Sequence, residues 1–505
     1  MSSPFYITTP IYYVNDVPHI GHAYTTLACD VMARFKRLDD FEVFFLTGTD
    51  EHGQKVETAA NNKGLKPKDF VDDVSVNFRS LLKCMNFSND DFIRTTEKRH
   101  FNSCQRIWNK LVENGNIYLG KYSGWYAVRD EAFFLESEIV DGKAPSGAPV
   151  EWVEEPSYFF NLSKWQDKLL KYYDENKDFI SPNTRRNEVI SFVKGGLKDL
   201  SVSRTSFSWG IKVPNDEQHI MYVWLDALTN YLSACDYANN ENNMKNSKFW
   251  PADIHMVGKD IIRFHAVYWP AFLMAADLPL PKKVFAHGWW TNEGNKISKS
   301  LGNVINPFDL VEEYGVDQIR YFLMREVPFG NDGDFSKTQL NNRINSDLAN
   351  SYGNLFQRVV SMICKNCNET IPQKPEFLNK EDLVLVNSLK NNIDDYRNLI
   401  DNQKFDQFLK NIWLVISSAN KYTDEQAPWS LKKTDFKRME VVLFTLIETL
   451  RQISILLQPF LPNTTKSVLD QIKIPLNERN FKHLENIYKG EEKIELPEPL
   501  FPRVQ

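Results

Sequence analysis

Apolar positions in the first fifty residues follow two periods, one typical of strands and one typical of helices. Phe5 to Thr9 is rich in β-forming residues, and Phe41 to Leu46 has the same character. Between them, Ile20 to Arg37 places Leu27 and Val31 at helical spacing. A strand, a helix and a second strand in this order predict the beginning of an α/β fold with a parallel sheet.

The pattern changes between residues 117 and 214. Aromatic residues such as Tyr118, Trp125 and Trp152 are interspersed with turn-forming glycines, among them Gly142 and Gly147. Such a mixture favours short strands and turns over helices. We therefore expect a β-rich insertion, after which strand and helix patterns of the first kind resume near residue 220.

Beyond Phe335, apolar residues recur every three or four positions. Phe405, Phe408, Ile412, Ile416 and Ala419 form one helical face, and Leu443, Leu446, Leu450, Ile453 and Leu457 form another. The second helix should end before Pro459 and Pro462, because proline interrupts a helix. The region is predicted to be helical to nearly the end of the chain, and an all-α bundle is the simplest way to bury both faces.

These patterns divide the chain into four predicted parts. An α/β domain with a parallel sheet occupies residues 1–116 and 215–335 and is split by the β-rich insertion, residues 117–214. The all-α bundle follows at residues 336–505.

Composition restricts the class of protein only a little. The 505 residues are 42% hydrophobic and 25% charged, as in ordinary globular proteins. With 60 Lys and Arg against 66 Asp and Glu, the net charge of −6 does not indicate a nucleic-acid-binding protein, so any RNA contact must depend on local patches. Six scattered cysteines favour reduced thiols and a cytoplasmic location. We expect no membrane span and no signal or transit peptide.

His19-Ile20-Gly21-His22 should open the first helix directly after the first strand. In open α/β sheets, ligands bind beyond the carboxyl ends of the strands. The first turn of a helix offers unpaired N–H groups and a positive dipole end, which suit ATP phosphates. His19 and His22 share one helix face, and Gly21 lets a bulky ring approach the backbone. Taken alone, such a short string is a weak signal.

Lys296-Ile297-Ser298-Lys299-Ser300 lies between Gly294 and Gly302. The glycines favour a mobile loop that could bring two lysines over a triphosphate, where their charge would stabilise a transition state. By itself, the segment would be better explained as a solvated basic loop.

Together and in this order, the two motifs resemble the signature sequences of class I aminoacyl-tRNA synthetases. Further segments resemble methionyl-tRNA synthetases of the bacterial type without zinc-knuckle cysteines, namely Pro10–Asn15, Thr47–Gly53, Trp224–Ala227, Gly258–Ile261, Phe264–His265 and Ala427–Trp429. The resemblance covers nearly the whole chain and implies a Rossmann-type sheet followed by an anticodon-binding bundle. It implies that methionine and ATP form methionyl-adenylate and pyrophosphate, and that methionyl is then transferred to the terminal adenosine of tRNA.

The resemblance also implies a methionine pocket in which Asp50 holds the substrate ammonium by a charge-assisted hydrogen bond. Arg204 resembles the family arginine near the active site. The other implied pocket residues are Ile11, Tyr13, Trp224, Ala227, Leu228, Tyr231, Ile261 and His265. Aromatic walls suit a polarisable thioether, although core packing would explain these residues without the motifs.

For ATP, the resemblance implies ribose contacts with Gly258 and Asp260, and contacts of adenine with the backbone near Trp289 and Trp290. The residues implied around the phosphates are His19, Gly21, His22, His287, Lys296 and Lys299. Of these, His19, His22, Lys296 and Lys299 are the expected catalytic residues, with Lys299 acting on the leaving pyrophosphate. ATP is expected to enter with Mg²⁺.

Anticodon recognition would fall to the helical region. Asn354 and Arg358 lie four positions apart on one predicted helix face, and Pro428-Trp429 should end a helix and present an aromatic ring. Stacking and edge hydrogen bonds are how proteins read unpaired RNA bases. The resemblance implies the anticodon CAU of elongator and initiator methionine tRNA. Without it, a solvated helix face and a core tryptophan would explain these residues.

The sequence departs from many family members at possible metal sites. Residues 117–214 contain no cysteine and no histidine, so the insertion should bind no zinc. Cys364 and Cys367 form a C-x-x-C without a second ligand pair nearby and should be ordinary thiols. Ile297 replaces the commoner methionine, which conserves volume. The dimerising C-terminal extension of some relatives is missing, which favours a monomer.

Two alternatives remain open. One is a class I synthetase for leucine, isoleucine, valine or cysteine; the first three carry a large editing insertion, whereas residues 117–214 are too few. The other is a tRNA-binding protein that keeps the fold without catalysis, which the intact His19, His22, Lys296 and Lys299 argue against.

Overall fold

The structure is a computed structural model that describes residues 2–14, 17–130, 132–134, 136–238, 246–297 and 303–504. Its first part alternates strands and helices. The elements are β1 (Pro4–Thr8), β2 (Tyr12–Tyr13), α1 (Ile20–Leu38), β3 (Glu42–Asp50), α2 (Gln54–Asn62), α3 (Pro67–Cys84), β4 (Asp91–Arg94) and α4 (Lys98–Glu113).

The next part mixes strands with two helices. Its elements are β5 (Ile117–Ala127), β6 (Ala132–Phe134), β7 (Glu151–Phe160), α5 (Gln166–Glu175), β8 (Ile180–Ser181), α6 (Asn183–Lys194), β9 (Leu200–Ser201), β10 (Ser203–Arg204), β11 (Lys212–Val213) and β12 (Asp216–Met221).

The strand and helix alternation then returns with α7 (Val223–Ser233), β13 (Ile254–Gly258), α8 (Trp269–Ala275), β14 (Val284–His287), β15 (Trp290–Asn292), β16 (Asn295–Lys296), α9 (Pro307–Tyr314), α10 (Val316–Arg325), β17 (Gly333–Phe335) and α11 (Lys337–Arg343). A π-helical stretch, Ile344–Gly353, leads into α12 (Asn354–Asn366), α13 (Lys380–Asn387), α14 (Ile393–Asp401), α15 (Phe405–Gln426), α16 (Pro428–Thr434), α17 (Phe436–Leu457) and α18 (Pro462–Gln471).

Seven strands form one parallel sheet in the order β2-β3-β1-β13-β14-β8, with β4 also paired to β3. The pairing of β1 with β13 joins the two halves of the α/β domain, since Ile7 lies opposite Ile254 and Thr8 opposite His255. The predicted α/β class is therefore confirmed, and the observed bounds of β1, α1 and β3 lie close to the predicted ones. The carboxyl end of β1 leads into the loop before α1.

The segment between residues 117 and 214 is only partly β-structure. An antiparallel sheet in the order β6-β5-β7-β9 matches the expected β-rich insertion. However, α5 and α6 are helices, and β8 pairs in parallel with β14, so Ile180–Ser181 belongs to the main sheet. A two-residue strand that pairs with a partner about a hundred positions away carries no local pattern. The boundaries at residues 117 and 214 stay predictions.

The helical bundle is confirmed in α12 to α18, and the two predicted apolar faces lie buried on α15 and α17. The expectation of helix to nearly the end was wrong for the last stretch, because α18 ends at Gln471 and only short turns follow. Pro475, Pro497, Pro499 and Pro502 interrupt this segment. Its apolar residues, among them Ile474 and Phe501, still pack into the core.

A buried arginine of the α/β domain contacts both a helix of the same domain and the bundle. Arg320 on α10 donates to Asp30 on α1 at 2.6 Å, and both side chains are fully buried. The same guanidinium donates to the carbonyls of Pro459 and Phe460 just after α17. In the part of the chain that the structure describes, no helix is long and apolar enough to cross a membrane.

Candidate active site

A cavity of about 400 Å³ opens at the carboxyl edge of the main sheet, between the first turn of α1, the end of β3 and one face of α7. It brings together most of the residues selected from the sequence. These are Ile11, Tyr13, His19, Gly21, His22, Asp50, Trp224, Ala227, Leu228, Tyr231, Gly258, Asp260, Ile261, His265 and His287.

His19 and His22 are oriented by the first turn of α1. The backbone N–H of Gly21 donates to Nδ1 of His19 at 3.1 Å, and the N–H of His19 donates to Nδ1 of His22 at 3.1 Å. Because each Nδ1 accepts a hydrogen bond, each neutral ring carries its proton on Nε2. Both histidines can therefore act as Nε2–H donors.

Burial keeps these two rings uncharged at neutral pH. It lowers the pKa of His19, an effect that Asp260 partly opposes. It lowers the pKa of His22 further, to which the neighbouring His19 contributes. Neutral donors near a helix N-terminus suit an anionic ligand without adding a fixed charge.

Two glycines allow close approaches that a Cβ atom would block. A Cβ on Gly21 would lie 2.9 Å from the His19 ring, and a Cβ on Gly258 would lie 2.5 Å from the Asp260 carboxylate. Gly21 therefore lets the His19 ring fold back onto the start of α1.

The opposite wall is aromatic. Trp224 stacks on Phe264 with ring centroids 3.6 Å apart. Nδ1 of His265 donates to the Ile261 carbonyl at 3.0 Å, so its Nε2 accepts from the Tyr231 hydroxyl at 2.7 Å. Burial lowers the pKa of His265 to about 4, against the opposing effects of Ile261 and Asp260. This wall is apolar and uncharged, as binding of a thioether requires.

The predicted nucleotide side of the cavity holds Asp260, Trp289 and His287. The indole N–H of Trp289 donates to Asp260 at 3.1 Å. His287 uses both ring nitrogens inside the protein, because Nδ1 donates to the Gly288 carbonyl and Nε2 contacts the Thr25 hydroxyl. In this arrangement, His287 contacts the second turn of α1 and has no N–H left for a phosphate.

Among the selected residues whose side chains the structure describes, Trp290 and Arg204 were assigned to the active site but do not line the cavity. Trp290 is buried in the main core, where its ring meets Tyr24 edge-on, while the adjacent Trp289 faces the cavity. Arg204 is buried on β10, where it donates to Ser201 and packs over the Tyr222 ring. Tyr222 immediately precedes Val223, which lines the cavity, so any effect of Arg204 on the cavity is indirect.

The second motif is described only in part. The backbone of Lys296 belongs to β16, which pairs with β15 next to Trp289, and Ile297 packs against the main core. Lys299 and its neighbours from 298 to 302 lie outside the described residues. The predicted roles of the two lysines stay predictions.

Several lining residues were not selected from the sequence. Lys55 at the start of α2 places its ammonium 4.9 Å from the centre of the Tyr13 ring. Arg129 and Asp130 reach the cavity from the turn after β5. Lys55 lies in the segment that follows Asp50 and could have been found there, whereas no sequence signal connects Arg129 and Asp130 to residues about a hundred positions away.

The residues predicted to bind the anticodon cluster on one surface of the bundle. We call Asn354 and Arg358 on α12 with Trp429 on α16 the α12–α16 face. Arg358 donates to Asp424 at 2.7 Å, and its guanidinium lies 5.8 Å from the centre of the Trp429 ring. Trp429 is 47% exposed.

A sharp bend between two helices presents Trp429. Ala427 adopts a left-handed conformation with φ 42°, and Pro428 begins α16. Pro428 itself is buried, so it shapes the turn and does not offer a contact surface. The prediction that a helix ends here is confirmed, since α15 ends at Gln426.

One group among the described residues has the spacing of metal ligands, namely His100, Cys104 and Asp226. It lies behind the cavity and was not selected from the sequence. Cys364 and Cys367 lie at the end of α12, and burial raises the pKa of both thiols, to about 11 for Cys367. Their role as ordinary thiols stays a prediction.

Comparison with known proteins agrees with this geometry. The family model described as tRNA synthetases class I (M) matches residues 5–151 and 144–360. The model for the anticodon binding domain of methionyl tRNA ligase matches residues 371–505. The parallel sheet and the cavity at its edge are thus those of a class I tRNA synthetase.

Relatives of known sequence and structure cover the whole chain. The methionine–tRNA ligase of Rickettsia felis is 58% identical over 510 residues, 100% of this chain and 99% of its own. That of Rhizobium meliloti is 54% identical and covers 99% of this chain and 98% of its own. Mycobacterium tuberculosis methionyl-tRNA synthetase, solved in complex with methionyl-adenylate, is 47% identical with a TM-score of 0.96, covering 99% of this chain and 100% of its own. The chain belongs to the methionyl-tRNA synthetase family, a family of ligases, and the resemblance inferred from the motifs is confirmed.

Proposed function

We propose that the cavity activates methionine with ATP and that the same site then transfers methionyl to tRNA. The observation that supports this most directly is the convergence of three features in one cavity. The neutral His19 and His22 donors, the Asp50 carboxylate and the aromatic wall around Trp224 all line it.

Each feature suits one part of the substrates. Asp50 would hold the methionine ammonium, and the wall of Trp224, Tyr231 and His265 would receive the thioether. His19 and His22 would donate to phosphate oxygens, and Asp260 would accept from the ribose hydroxyls. ATP would enter as its Mg²⁺ complex, since Mg²⁺ prefers phosphate oxygens and water to an all-protein site.

Chemistry in this arrangement needs no protein nucleophile. The methionine carboxylate attacks the α-phosphorus, the bond from that phosphorus to the bridging oxygen breaks, and pyrophosphate leaves. The protein contributes alignment and stabilisation of charge, with Lys296 and Lys299 expected to act on the phosphates. In the second step, the 2′-hydroxyl of the terminal adenosine attacks the adenylate carbonyl, and AMP leaves.

The α12–α16 face would bind the tRNA anticodon. An accessible indole can stack on an unpaired base, and Arg358 beside it can pair with a phosphate or a base edge. On the basis of the family resemblance, we extend the proposal to the CAU anticodon of both elongator and initiator tRNA, and further to a cytoplasmic monomer. We also propose that the protein binds no zinc, because residues 117–214 contain no cysteine and no histidine.

The test is pyrophosphate exchange measured with each amino acid in turn. We expect exchange with methionine and much weaker exchange with leucine, isoleucine, valine and cysteine. Exchange with leucine but not methionine would overturn the proposed substrate. A chain that binds tRNA without any amino-acid-dependent exchange would indicate a binding protein.

A further inference from the structure

Three consecutive residues at the end of β3, Asp50 to His52, lie in different surroundings. Asp50 lines the cavity. Glu51 is fully buried and accepts from Arg94 at 2.6 and 2.9 Å and from Thr96 at 2.6 Å. His52 is buried as well and turns its ring towards α7. The backbone of Asp50 is therefore fixed by the two side chains that follow it.

His52 belongs to a buried chain of hydrogen bonds centred on Asp226. Nδ1 of His52 lies 2.6 Å from one carboxylate oxygen of Asp226, and Nε2 of His100 lies 2.6 Å from the other. Nδ1 of His100 contacts the Ser233 hydroxyl at 2.9 Å. Burial disfavours ionisation of Asp226, but the two imidazoles outweigh it and lower its pKa to about 2. The carboxylate therefore stays charged and needs both donors.

This network contacts the face of α7 that points away from the cavity. Trp224, Ala227 and Tyr231 line the cavity from the front face of α7. Asp226 and Ser233 lie seven positions apart, which places both on the back face. His100 on α4 thus bridges two turns of α7, and His52 connects the same helix to the end of β3.

The contacts are those of hydrogen bonds and not of a shared metal ion. Two ligands of one zinc ion, at bonds of about 2.0–2.2 Å and a tetrahedral angle, lie roughly 3.3 Å apart. His100 and Asp226 are closer, at 2.6 Å.

We propose that His52 and Asp226 are positioning residues for amino-acid recognition, because their hydrogen bond sets the spacing between the Asp50 carboxylate and the aromatic wall of α7. This inference rests on the proposed function of the cavity. Methionine spans only a limited range of distances between its ammonium and its sulfur, so both ends bind well at once only when Asp50 and Trp224 are correctly spaced. A ligand that engages one end alone does not depend on that spacing.

The experiment compares two ligands that differ in this respect. L-Methionine is measured through its KM in pyrophosphate exchange. The second ligand, 4-(methylthio)butanoate, keeps the thioether and carboxylate but lacks the ammonium, and it is measured through its inhibition constant against methionine. In His52→Leu we expect the methionine KM to rise about tenfold, because a charge-assisted hydrogen bond behind the pocket is lost. The inhibition constant should change less than about twofold.

Two further variants serve as controls. Asparagine places an amide N–H near the position of Nδ1, so His52→Asn should restore the methionine KM to within about twofold of wild type. His219 on β12 is another buried histidine, bonded to Ser203 at 2.9 Å, and does not line the cavity. His219→Leu should lower the thermal midpoint without changing the ratio of the methionine KM to the inhibition constant of 4-(methylthio)butanoate.

The outcomes separate the possibilities. Equal weakening of both ligands in His52→Leu would mean general damage to the pocket, and no weakening of either would mean that the network is irrelevant to recognition; each overturns the inference. If His52→Leu does not fold, Asp226→Asn, which keeps the shape of the side chain, is measured with the same two ligands. The same ratio, of the methionine KM to the inhibition constant, then decides. Failure of the proposed function would instead appear in the wild type, as absence of methionine-dependent exchange.

Discussion

The histidines that line the cavity are largely buried and already bonded to the protein, whereas the polar groups of the α12–α16 face remain accessible. His265 and His287 have both ring nitrogens engaged, and His22 is oriented by a backbone N–H. Trp429, in contrast, is 47% exposed, and Arg358 has one ion pair, to the exposed Asp424. The protein itself holds the rings of the first region in place, and the second region is open to a partner.

The difference follows from what each region would bind. A small amino acid offers few contacts, so selectivity must come from a rigid, desolvated pocket. An RNA loop brings bases and phosphates of its own, so stacking surfaces and mobile cations suffice. Substitutions in the cavity should therefore have larger effects than substitutions on the face, and they should affect different steps.

The largest effect is expected for His22→Asn. The asparagine carbonyl can still accept from the His19 N–H, but the Nε2–H donor is lost. Loss of one preorganised donor to a developing charge should lower kcat for pyrophosphate exchange about 100- to 1000-fold. The affinities for methionine and tRNA, measured by equilibrium binding, should change little. His22→Gln, which keeps an N–H near the Nε2 position, should recover part of the rate; an unchanged kcat in the asparagine variant would contradict the assigned donor.

A smaller effect is expected from the acid sensitivity of the cavity. Burial lowers the pKa of His265 to about 4, so between pH 6.5 and pH 4 the unfolded chain binds a proton at this residue and the folded protein does not. Stability contributed by the neutral ring is therefore lost as the pH falls through this range. Wild type should lose about 2 kcal/mol relative to His265→Asn between pH 7.5 and pH 5.

The measurement is the gap in thermal midpoint between the two proteins across this pH range. Other buried histidines are present in both and cancel. The gap should narrow steadily as the pH falls towards 5, and a constant gap would mean that His265 titrates normally. Asn354, Arg358 and Trp429 have no group that titrates in this range. For a substitution on the α12–α16 face, the difference in thermal midpoint from wild type should therefore not depend on pH.

The sequence alone predicted those parts of the fold and site that depend on residues close to one another along the chain. The helix that begins with His19 to His22, the parallel sheet and the apolar faces of α15 and α17 all follow from local periodicity. Gly21 was recognised because a ring next to a helix start needs room. The motif residues around Asp50 and Trp224 could be selected only through the family resemblance.

Other features depend on tertiary packing. Trp289 and Trp290 are adjacent, and only the start of β15 decides that the second ring is buried and the first faces the cavity. His52 and Asp226 meet across 174 positions. The short strand β8 belongs to the main sheet because it pairs with the edge of β14. Two residues, Ile180–Ser181, are too few to show a periodicity that would predict this strand.

The next prediction concerns the α12–α16 face. Stacking of one base on an aromatic ring contributes about 1–3 kcal/mol, so Trp429→Ala should lower kcat/KM for aminoacylation about tenfold. Pyrophosphate exchange without tRNA should be unchanged, because the cavity is not touched. Trp429→Phe keeps a stacking surface and should recover most of the loss. If exchange falls together with aminoacylation, the effect is on folding and the proposed division of labour between the two regions is wrong.

The smallest effect is expected for Asp424→Asn. Its ion pair with Arg358 joins side chains that are 64% and 30% exposed, and such pairs contribute about 0–1 kcal/mol. The thermal midpoint should therefore hardly move. The substitution nevertheless removes a negative charge from the proposed RNA-binding surface and releases Arg358 from its ion pair. The KM for tRNA should therefore fall by up to about threefold at low salt. The difference from wild type should disappear as the salt concentration rises. Arg358→Gln in the same background should abolish the gain. A salt-independent change, or a loss of tRNA affinity, would show that Asp424 orders the face for binding and does not compete with the RNA for Arg358.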